Sequence, residues 1–407
     1  MDSGNLAWVL ISAALVLFMT PGLALFYGGM DRSRNVLNML MMNFWCVLIV
    51  PVIWMIVGYS IAYGDAGADY FGGFDLAFLD GVGIMEDNGG TIATIAFLGM
   101  FAAITPALIS GAVADRMKFA AWAVFVPVWT LLVFCPVFKW VYGGFLGQRG
   151  SIDFAGGTAI HVNAGIAALA MVFVLGKRKG WPQEGHPPHS MPLVMIGTGI
   201  LWFGWFGFNA GSALGATGQA AQAFMNTFLA AAAAGLAWVL VEWLRDGHPT
   251  NLGAASGIVA GLVAITPAAG FVSGPAPLAI GAVAGIMCCY AVRLKNKFGY
   301  DDALDVVGVH FVGGLVGSLL IGFFANPEFF GGEFMEGIFY GGNIDLLVEQ
   351  AFANGVTIVY SGVVTTLIAL ALKATIGLRA DAESEASGLD LAEHGETAYH
   401  SGTAASM

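Results

Sequence analysis

The sequence predicts an all-α integral membrane protein with eleven transmembrane helices: two five-helix halves related by inverted topology, followed by a long eleventh helix. Three observations lead to this prediction: an extreme composition, a regular series of apolar runs and a one-sided distribution of basic residues. Of 407 residues, 58% are hydrophobic and 10% are charged, and the mean hydropathy is +0.78. A soluble domain carries roughly 25% charged residues, so most of this apolar surface is expected to face lipid.

The apolar runs follow one another with short gaps. A transmembrane helix needs about 20 largely apolar residues. Such runs cover residues 6–29, 36–63, 91–114, 119–138, 154–175, 191–210, 218–243, 252–268, 276–296, 305–325 and 345–376. The last is longer than one crossing needs, so we expect it to tilt or project beyond the bilayer. We predict a membrane domain at residues 1–377 and a cytoplasmic tail at residues 378–407. The first run is interpreted as a transmembrane helix rather than as a cleaved signal peptide.

Basic residues decide the orientation of these spans. If the C-terminus lies inside, thirteen of the 15 lysines and arginines fall in cytoplasmic segments, and only Lys139 and Arg149 lie outside. This asymmetry follows the positive-inside rule. We therefore predict the N-terminus outside and the C-terminus inside, in the inner or plasma membrane of a cell.

The sequence does not suggest a cofactor. All four cysteines lie inside apolar runs without metal-ligand spacing. His186 and His189 lie in a proline-broken loop, where metal binding is the weaker interpretation. The chain has neither a phosphate-binding loop of the P-loop type nor a pair of intramembrane carboxylates. We expect no metal, no cofactor, no nucleic-acid partner and no enzymatic activity.

Two histidines lie within predicted spans, where each polar group is costly and is a functional candidate. His161 follows Asp153 in the fifth span, and His310 follows Asp305 in the tenth; both have Gly-rich neighbours. Because five spans separate them, the two segments are predicted to run in opposite directions, as in an inverted repeat. One such histidine would be interpreted as a satisfied core residue, but two at matched positions favour a pair at the centre of a pore.

Several motifs are specific enough to compare with known membrane proteins. They are Asp153-Phe-Ala-Gly-Gly-Thr-Ala-Ile-His161, Trp205-Phe-Gly-Phe208-Asn-Ala-Gly-Ser212, Phe-Tyr27-Gly-Gly, Ile265-Thr266-Pro-Ala, Asp305-Val-Val-Gly-Val-His310 and the tail from Gly388 to Tyr399. Together they resemble the ammonium transporter (Amt/Mep/Rh) family over essentially the whole chain. The resemblance implies a homotrimer in membrane lipid, with a pore for ammonium or ammonia in each protomer and a cytoplasmic PII signalling protein as a partner.

The resemblance also implies roles for single residues. The expected outer recruitment site consists of Phe101, Ser212, Trp205 and the residue at position 142; Phe101 and Phe208 form a gate, and His161 and His310 the pore centre. The family usually has Trp where Tyr142 aligns, so either Tyr142 replaces it or Trp140 does so after a local shift. Thr266, Asp153 and Asp305 are expected to act structurally or electrostatically. Two roles are considered for Asp153: it can cap the helix, and it can supply a fixed negative charge that attracts cations.

Ammonium and potassium ions have similar size and charge, but only ammonium can lose a proton. A dry pore would therefore pass ammonia and refuse potassium. Net ammonium transport, with the separated proton relayed by the imidazoles, is the favoured interpretation over ammonia alone. The alternatives are an ammonium-sensing receptor that acts through a cytoplasmic partner and a Rh-like channel for carbon dioxide or ammonia. By composition alone, the tail could be disordered.

Overall fold

The computed structural model describes residues 1–65, 70–85 and 87–399. In these residues the regular secondary structure is helical, and the antiparallel pairing of Met117 with Arg379 is an isolated bridge. The main helices are α1 (Ser3–Met30), α2 (Val36–Tyr63), α3 (Gly90–Val113), α4 (Phe119–Gln148), α5 (Gly157–Leu175), α6 (Met191–Gly211), α7 (Gly218–Asp246), α8 (Asn251–Ile265), α9 (Ala276–Phe298), α10 (Val307–Phe324) and α11 (Asp345–Thr375). Short helices at Ala77–Leu79, Pro327–Phe330 and Ile338–Tyr340 lie in connections, and the tail contains α12 (Ala382–Ser387) and α13 (Leu389–His394).

Each predicted run is found as a helix, and ten of the helices are long and apolar enough to cross a membrane. The exception is α8, which has 15 residues and ends at Ile265. The predicted run continues to residue 268 because the sequence stays apolar, but Pro267 has no N–H group with which to extend the helix. The count of eleven crossings and their orientation stay predictions, and we use "outer" and "inner" in the sense of that orientation.

Four long helices contain a π-helical segment. These segments are Trp54–Gly58 in α2, Thr130–Phe134 in α4, Gly157–Val162 in α5 and Val307–Phe311 in α10. Such segments are rare and are often found at functional sites. The segments of α5 and α10 contain His161 and His310, so the same local structure surrounds both intramembrane histidines.

The helices pack closely because small residues face their neighbours. α1 lies along α6; α7, α8 and α9 pack on one another; and α5, α10 and α11 form a third group. A side chain at Gly281 would overlap the Ala230 carbonyl of α7, and one at Gly317 would overlap the Ala264 carbonyl of α8. Such contacts let helix backbones approach each other directly. The histidine-bearing helices α5 and α10 meet in the same way, because a side chain at Gly165 would overlap the backbone of Phe311.

The described part of the tail folds onto the inner ends of the helices. Asp390 accepts a hydrogen bond from the backbone N–H of Asn38 (2.8 Å), Glu393 accepts one from Phe119 (3.2 Å), and Glu385 accepts one from Lys179 (2.8 Å). Residues 378–399 are therefore ordered, and the disorder suggested by composition is not found there. The remaining residues of the predicted tail, 400–407, lie outside the described part of the chain.

Candidate functional site

The two intramembrane histidines are in direct contact. Their Nδ1 atoms are 3.2 Å apart, and their rings lie 5.3 Å apart at an interplanar angle of 17°. Both side chains are buried. His310 Nε2 lies 3.5 Å from the hydroxyl oxygen of Tyr27, which donates to the Leu108 carbonyl (3.1 Å). His161 Nε2 is buried and has no hydrogen-bond partner among the described residues.

These contacts select one arrangement of protons. The Tyr27 proton is used on Leu108, so the Tyr27 oxygen can accept a hydrogen bond from the N–H at His310 Nε2. A neutral imidazole carries one proton, so His310 Nδ1 then accepts a hydrogen bond from His161 Nδ1. His161 Nε2 is consequently a bare acceptor. The pair thus offers a lone pair at His161 and a donor chain that leads towards Tyr27.

An aromatic stack lies beside His161. The rings of Phe101 and Phe208 are 4.2 Å apart and nearly parallel, at 25°. The indole of Trp205 stacks on His161 at 5.5 Å and 19°, while Phe208 lies 6.2 Å from the same imidazole. The structure therefore places the two rings of the predicted gate next to the predicted pore centre.

A hydrogen bond fixes the orientation of Trp205. Its Nε1 donates to Thr266 Oγ1 (2.8 Å), and Thr266 donates its own proton to the Leu262 carbonyl (2.7 Å). Thr266 follows the last residue of α8, where the chain turns towards Pro267. The short α8 thus carries a residue that holds Trp205 against His161.

A small cavity lies beside the two histidines. It has a volume of about 10 Å³, and its lining includes His161, His310, Trp205 and Phe208 together with aliphatic side chains of α1, α3, α6 and α8. A void of this size is at the lower limit for one water molecule. Apart from the imidazoles and the indole, the lining is apolar.

Asp153 caps the outer end of α5. Its Oδ1 accepts from the N–H groups of Gly156 and Gly157 (2.8 Å each), and its Oδ2 accepts from Thr158 (2.8 Å) and Ala159 (3.0 Å). Burial raises the pKa of the Asp153 carboxyl, and these four backbone donors oppose the rise. The capping role expected from sequence is seen, with both carboxylate oxygens engaged.

Asp302, not Asp305, is the corresponding cap of α10. Asp302 accepts from the N–H groups of Val306 (3.1 Å) and Val307 (2.7 Å). Asp305 has a left-handed backbone (φ 65°) and instead contacts Lys295 Nζ at 2.6 Å. The match of Asp305 with Asp153 that the sequence suggested is therefore wrong. The signal was available, because each true cap lies eight positions before its histidine.

The predicted recruitment residues are only partly brought together. Ser212 follows the last residue of α6 and donates its hydroxyl proton to the Phe208 carbonyl (2.8 Å), so the lone pairs of its oxygen can accept a hydrogen bond. The Tyr142 ring contacts Phe138 at 4.5 Å, and no ring contact joins it to Phe101 among the described residues. Trp140 packs against Tyr360 of α11 and donates to the Tyr70 carbonyl. The rings beside Trp140 are therefore not those of Phe101 and Phe208. This disfavours the interpretation in which Trp140 takes the place of Tyr142 after a local shift.

A charged cluster lies at the inner ends of the helices. His186 Nε2 is 3.5 Å from Asp31, and its Nδ1 is 3.1 Å from Asp115. The three groups have the spacing of metal ligands, within 4.8 Å of one another. Arg178, however, lies 3.3 Å from Asp115 and 2.8 Å from His186 Nδ1. A guanidinium already supplies the positive charge, so we interpret the cluster as an ion-pair network.

The pKa values in this cluster are shifted in different directions. Burial lowers the pKa of His186, but hydrogen bonds with Asp115 and Asp31 outweigh it and raise the pKa above its ordinary value. Burial and the neighbouring Asp115 carboxylate raise the pKa of Asp31. Burial would also raise the pKa of Asp115, but its contacts with His186 and Arg178 hold it well below the usual range.

Comparison with known proteins decides the family. The model of the Ammonium Transporter Family matches residues 7–399. The chain belongs to the Ammonium Transporter Family. As a member of that family with ten membrane-length helices, it is a multi-pass protein of the cell membrane.

Named relatives of this family member match over nearly their full length. An ammonium transporter of Mycobacterium tuberculosis is 51% identical, over 98% of this chain and 90% of that protein. Ammonium transporter Amt1 of Archaeoglobus fulgidus is 42% identical, over 98% of this chain and all of that protein. The family assignment therefore does not depend on one local motif.

Solved structures show the same fold. Mep2 of Saccharomyces cerevisiae superposes with a TM-score of 0.87 at 35% identity, over 99% of this chain and 93% of that one. A protein described as "Sensor Amt Protein" superposes with a TM-score of 0.89 at 29% identity, over 96% of this chain and 98% of that one. The all-helical fold class predicted from sequence is confirmed.

Proposed function

We propose that this protein transports ammonium across the cell membrane as ammonia and a separately relayed proton. The observation that carries the proposal is the contact between two buried imidazoles, 3.2 Å apart, behind a stacked aromatic pair. The relatives described above are named ammonium transporters, and the chain belongs to their family. Homologues named as transporters also argue against an enzyme.

The cation is recruited at the outer end of the stack. Phe101 and Tyr142 offer aromatic faces, which attract cations, and Ser212 offers hydroxyl lone pairs that can accept a hydrogen bond from ammonium. Trp205, which the resemblance also assigned to recruitment, stacks on His161 instead. Tyr is a weaker cation–π partner than Trp. We therefore expect weaker recruitment here than in a relative with Trp at this position.

Passage beyond the gate requires the loss of a proton. A charged ion in the small apolar cavity would lose its hydration without adequate compensation, whereas ammonia is neutral. Potassium has no proton to lose and is excluded. Opening requires the Phe101 and Phe208 rings to separate, because they are stacked at 4.2 Å.

The histidine pair accounts for both products of deprotonation. The bare His161 Nε2 accepts either an N–H of ammonia or the proton itself. When His161 Nε2 takes up the proton, the His161 Nδ1 proton passes to His310 Nδ1 over the 3.2 Å contact, and His310 releases its Nε2 proton to the inner side of the pore. The return of both imidazoles to their starting tautomers completes the cycle. Net transport is then electrogenic, although the molecule that passes the pore is neutral.

Assembly and partners follow from the family resemblance. We propose a homotrimer in which each protomer has its own pore. The inner face carries an ordered tail against the loops that join the helices, and we propose this face as the docking surface for a PII signalling protein.

Current measurement on purified protein in liposomes tests the transport proposal. We expect a sustained current with an ammonium gradient, a smaller one with methylammonium and none with potassium. A potassium current of equal size would refute deprotonation. Ammonia flux without current, together with carbon dioxide flux, would support the Rh-like gas channel.

A sensing role is the second candidate, since one solved structure of the same fold is described as a sensor. The described tail contains two short helices that pack on the protein's own inner face. In this alternative, the inner face acts through a cytoplasmic partner. Ammonium binding without measurable flux in the same liposomes would favour this alternative.

A further inference from the structure

Four polar side chains are buried between α5, α10 and α11. Thr158, Ser318, Gln350 and Asn354 are each at most 2% exposed. They are absent from the lining of the cavity at the histidines. Polar groups within an apolar bundle are costly unless they bond to one another, and they are therefore functional candidates. The transport steps proposed above do not use them.

Three of these side chains form a closed ring of hydrogen bonds. Asn354 Nδ2 donates to Ser318 Oγ (2.7 Å), and Thr158 Oγ1 donates to Asn354 Oδ1 (3.1 Å). Thr158 and Ser318 hydroxyls are 3.2 Å apart. The Thr158 proton is used on Asn354, so Ser318 donates to Thr158. All three donors then point the same way around the ring, an arrangement in which each bond strengthens the next.

Gln350 ties the ring to the backbone beside the α5 cap. Its Nε2 donates to Ser318 Oγ (3.1 Å) and to the Ile152 carbonyl (2.9 Å), and its Oε1 accepts from the Ile152 N–H (2.8 Å). Ile152 immediately precedes the capping residue Asp153. One helix, α11, thus holds both the start of α5 and the middle of α10.

We infer that this ring positions His161 against His310. Thr158 lies three residues before His161 in the same π-helical segment, and Ser318 lies on the helix that carries His310. Between them, a Cβ at Gly314 would lie 2.9 Å from His161 Cβ, so the two helices cross there with little separation. The ring prevents α5 from sliding along α10. Its members are positioning residues, because their hydrogen bonds go to one another and to the backbone rather than to an imidazole.

The effect that we expect on ammonium current rests on the proposed function. The effect that we expect on hydrogen–deuterium exchange in α5 does not depend on transport. Thr158→Val removes the hydroxyl at nearly constant volume, and Ser318→Ala removes the shared acceptor. Thr158→Ser and Ser318→Thr keep the hydroxyls and serve as rescue variants. Thr365→Val is the matched control, because Thr365 is also buried on α11 but accepts a hydrogen bond from Trp129 of α4 instead.

Two measurements test the ring in the full-length protein. A misplacement of about 1 Å can cost on the order of a hundredfold in rate, so we expect maximal ammonium current to fall at least about tenfold in Thr158→Val and Ser318→Ala. The ammonium concentration for half-maximal current should stay within about twofold of the parent value, because recruitment lies elsewhere. Hydrogen–deuterium exchange in lipid nanodiscs should become faster at residues 156–162 in these variants and remain at the parent rate in Thr365→Val.

The outcomes separate the two proposals. A parent protein without ammonium current refutes the proposed function, while the exchange measurement still decides the ring. Parent-like current and exchange in Thr158→Val overturn the ring inference. The inference would also be overturned if Thr158→Ser and Ser318→Thr, which retain the hydroxyls, were as impaired as Thr158→Val and Ser318→Ala. If Ser318→Ala does not fold, as judged by thermal unfolding, the comparison of Thr158→Val with Thr158→Ser decides the outcome.

Discussion

His161 and His310 are chemically unequal despite their matched positions. His161 presents a bare Nε2, whereas His310 Nε2 faces the Tyr27 hydroxyl at 3.5 Å. We expect His161→Ala and His310→Ala each to lower ammonium current by at least about a hundredfold, as for the loss of a group that transfers protons, or to admit potassium by letting water into the pore. Currents in liposomes under ammonium and potassium gradients measure both effects. Parent current and selectivity in both variants would contradict the pore assignment.

Asp153 shows how a contact changes the expected result of a substitution. From sequence alone, Asn would be expected to keep the cap and remove only the charge. In the structure all four backbone donors need a carboxylate oxygen, so the amide group introduced by Asp153→Asn would face two N–H groups. We expect this variant to have a lower free energy of unfolding, by roughly 1–3 kcal/mol for each donor left unpaired. Thermal unfolding of the purified protein checks this, and an unchanged midpoint would show that the cap tolerates an amide.

The predicted site residues that lie together in the structure come from separate helices. Phe208, His161 and His310 lie in motifs that the sequence analysis singled out, Phe101 was added by the family resemblance, and the fold brings the four side chains together. Asp302 was missed because Asp305 lies nearer to His310 in a similar sequence. The equal spacing of Asp153 and Asp302 from their histidines was the usable signal, but no periodic pattern predicts the left-handed turn that directs Asp305 away from the helix N-terminus.

Among the elements, the tail depends on the ends of other helices. α13 contacts the start of α2 through Asp390 and the start of α4 through Glu393. We expect truncation after Leu378 to leave the helix bundle folded, because the tail adds to its surface, and to change the transport rate. Transport by truncated and full-length protein is compared in cells grown with abundant and with scarce nitrogen. Equal rates in both conditions would indicate an inert tail.

The loop between α5 and α6 contains a protonation-dependent contact. Because the pKa of His186 is raised, its protonated form contributes stability that is complete below the unfolded value of about 6.5 and is lost as pH rises through the folded pKa. Arg178 approaches the same Nδ1, a contact that requires Nδ1 unprotonated, so Arg178 is expected to turn towards Asp115 in acid. Asp31, with its own raised pKa, acts in the same direction as His186.

We therefore expect the midpoint of thermal unfolding to fall as pH rises above about 6.5, the ordinary pKa of histidine. His186→Gln should make this fall shallower. Arg149→Gln is a suitable control, since Arg149 pairs with Glu349 at the outer face. Identical pH profiles for His186→Gln and the parent would contradict the role of His186.

For the whole molecule, composition and hydropathy were sufficient to predict the all-helical membrane fold and the position of each long helix. They could not show the early end of α8, where Pro267 interrupts an apolar run, or the π-helical segments. Helix–helix contacts depend on which glycines face a neighbouring carbonyl, as Gly281 and Gly317 do. Those directions follow from three-dimensional packing and are not fixed by spacing.

The predicted orientation can be tested on the complete protein in intact cells. The four native cysteines are buried, so a membrane-impermeant maleimide should label only a cysteine introduced at the surface. We expect Asp80→Cys, in an outer connection, to be labelled and Lys177→Cys, in an inner one, to be labelled only after the cells are opened. The reverse pattern would invert the assigned sides.

The paired π-helical segments have a consequence for the direction of flow. Each histidine follows a capped turn in its own segment, so the backbone around the two rings is nearly the same on both sides of the centre. The asymmetry lies in what the rings contact: Nε2 of His161 is bare, and Nε2 of His310 faces the Tyr27 hydroxyl. Any preference for import over export that arises at the centre therefore has to come from this difference in side-chain partners rather than from the backbone.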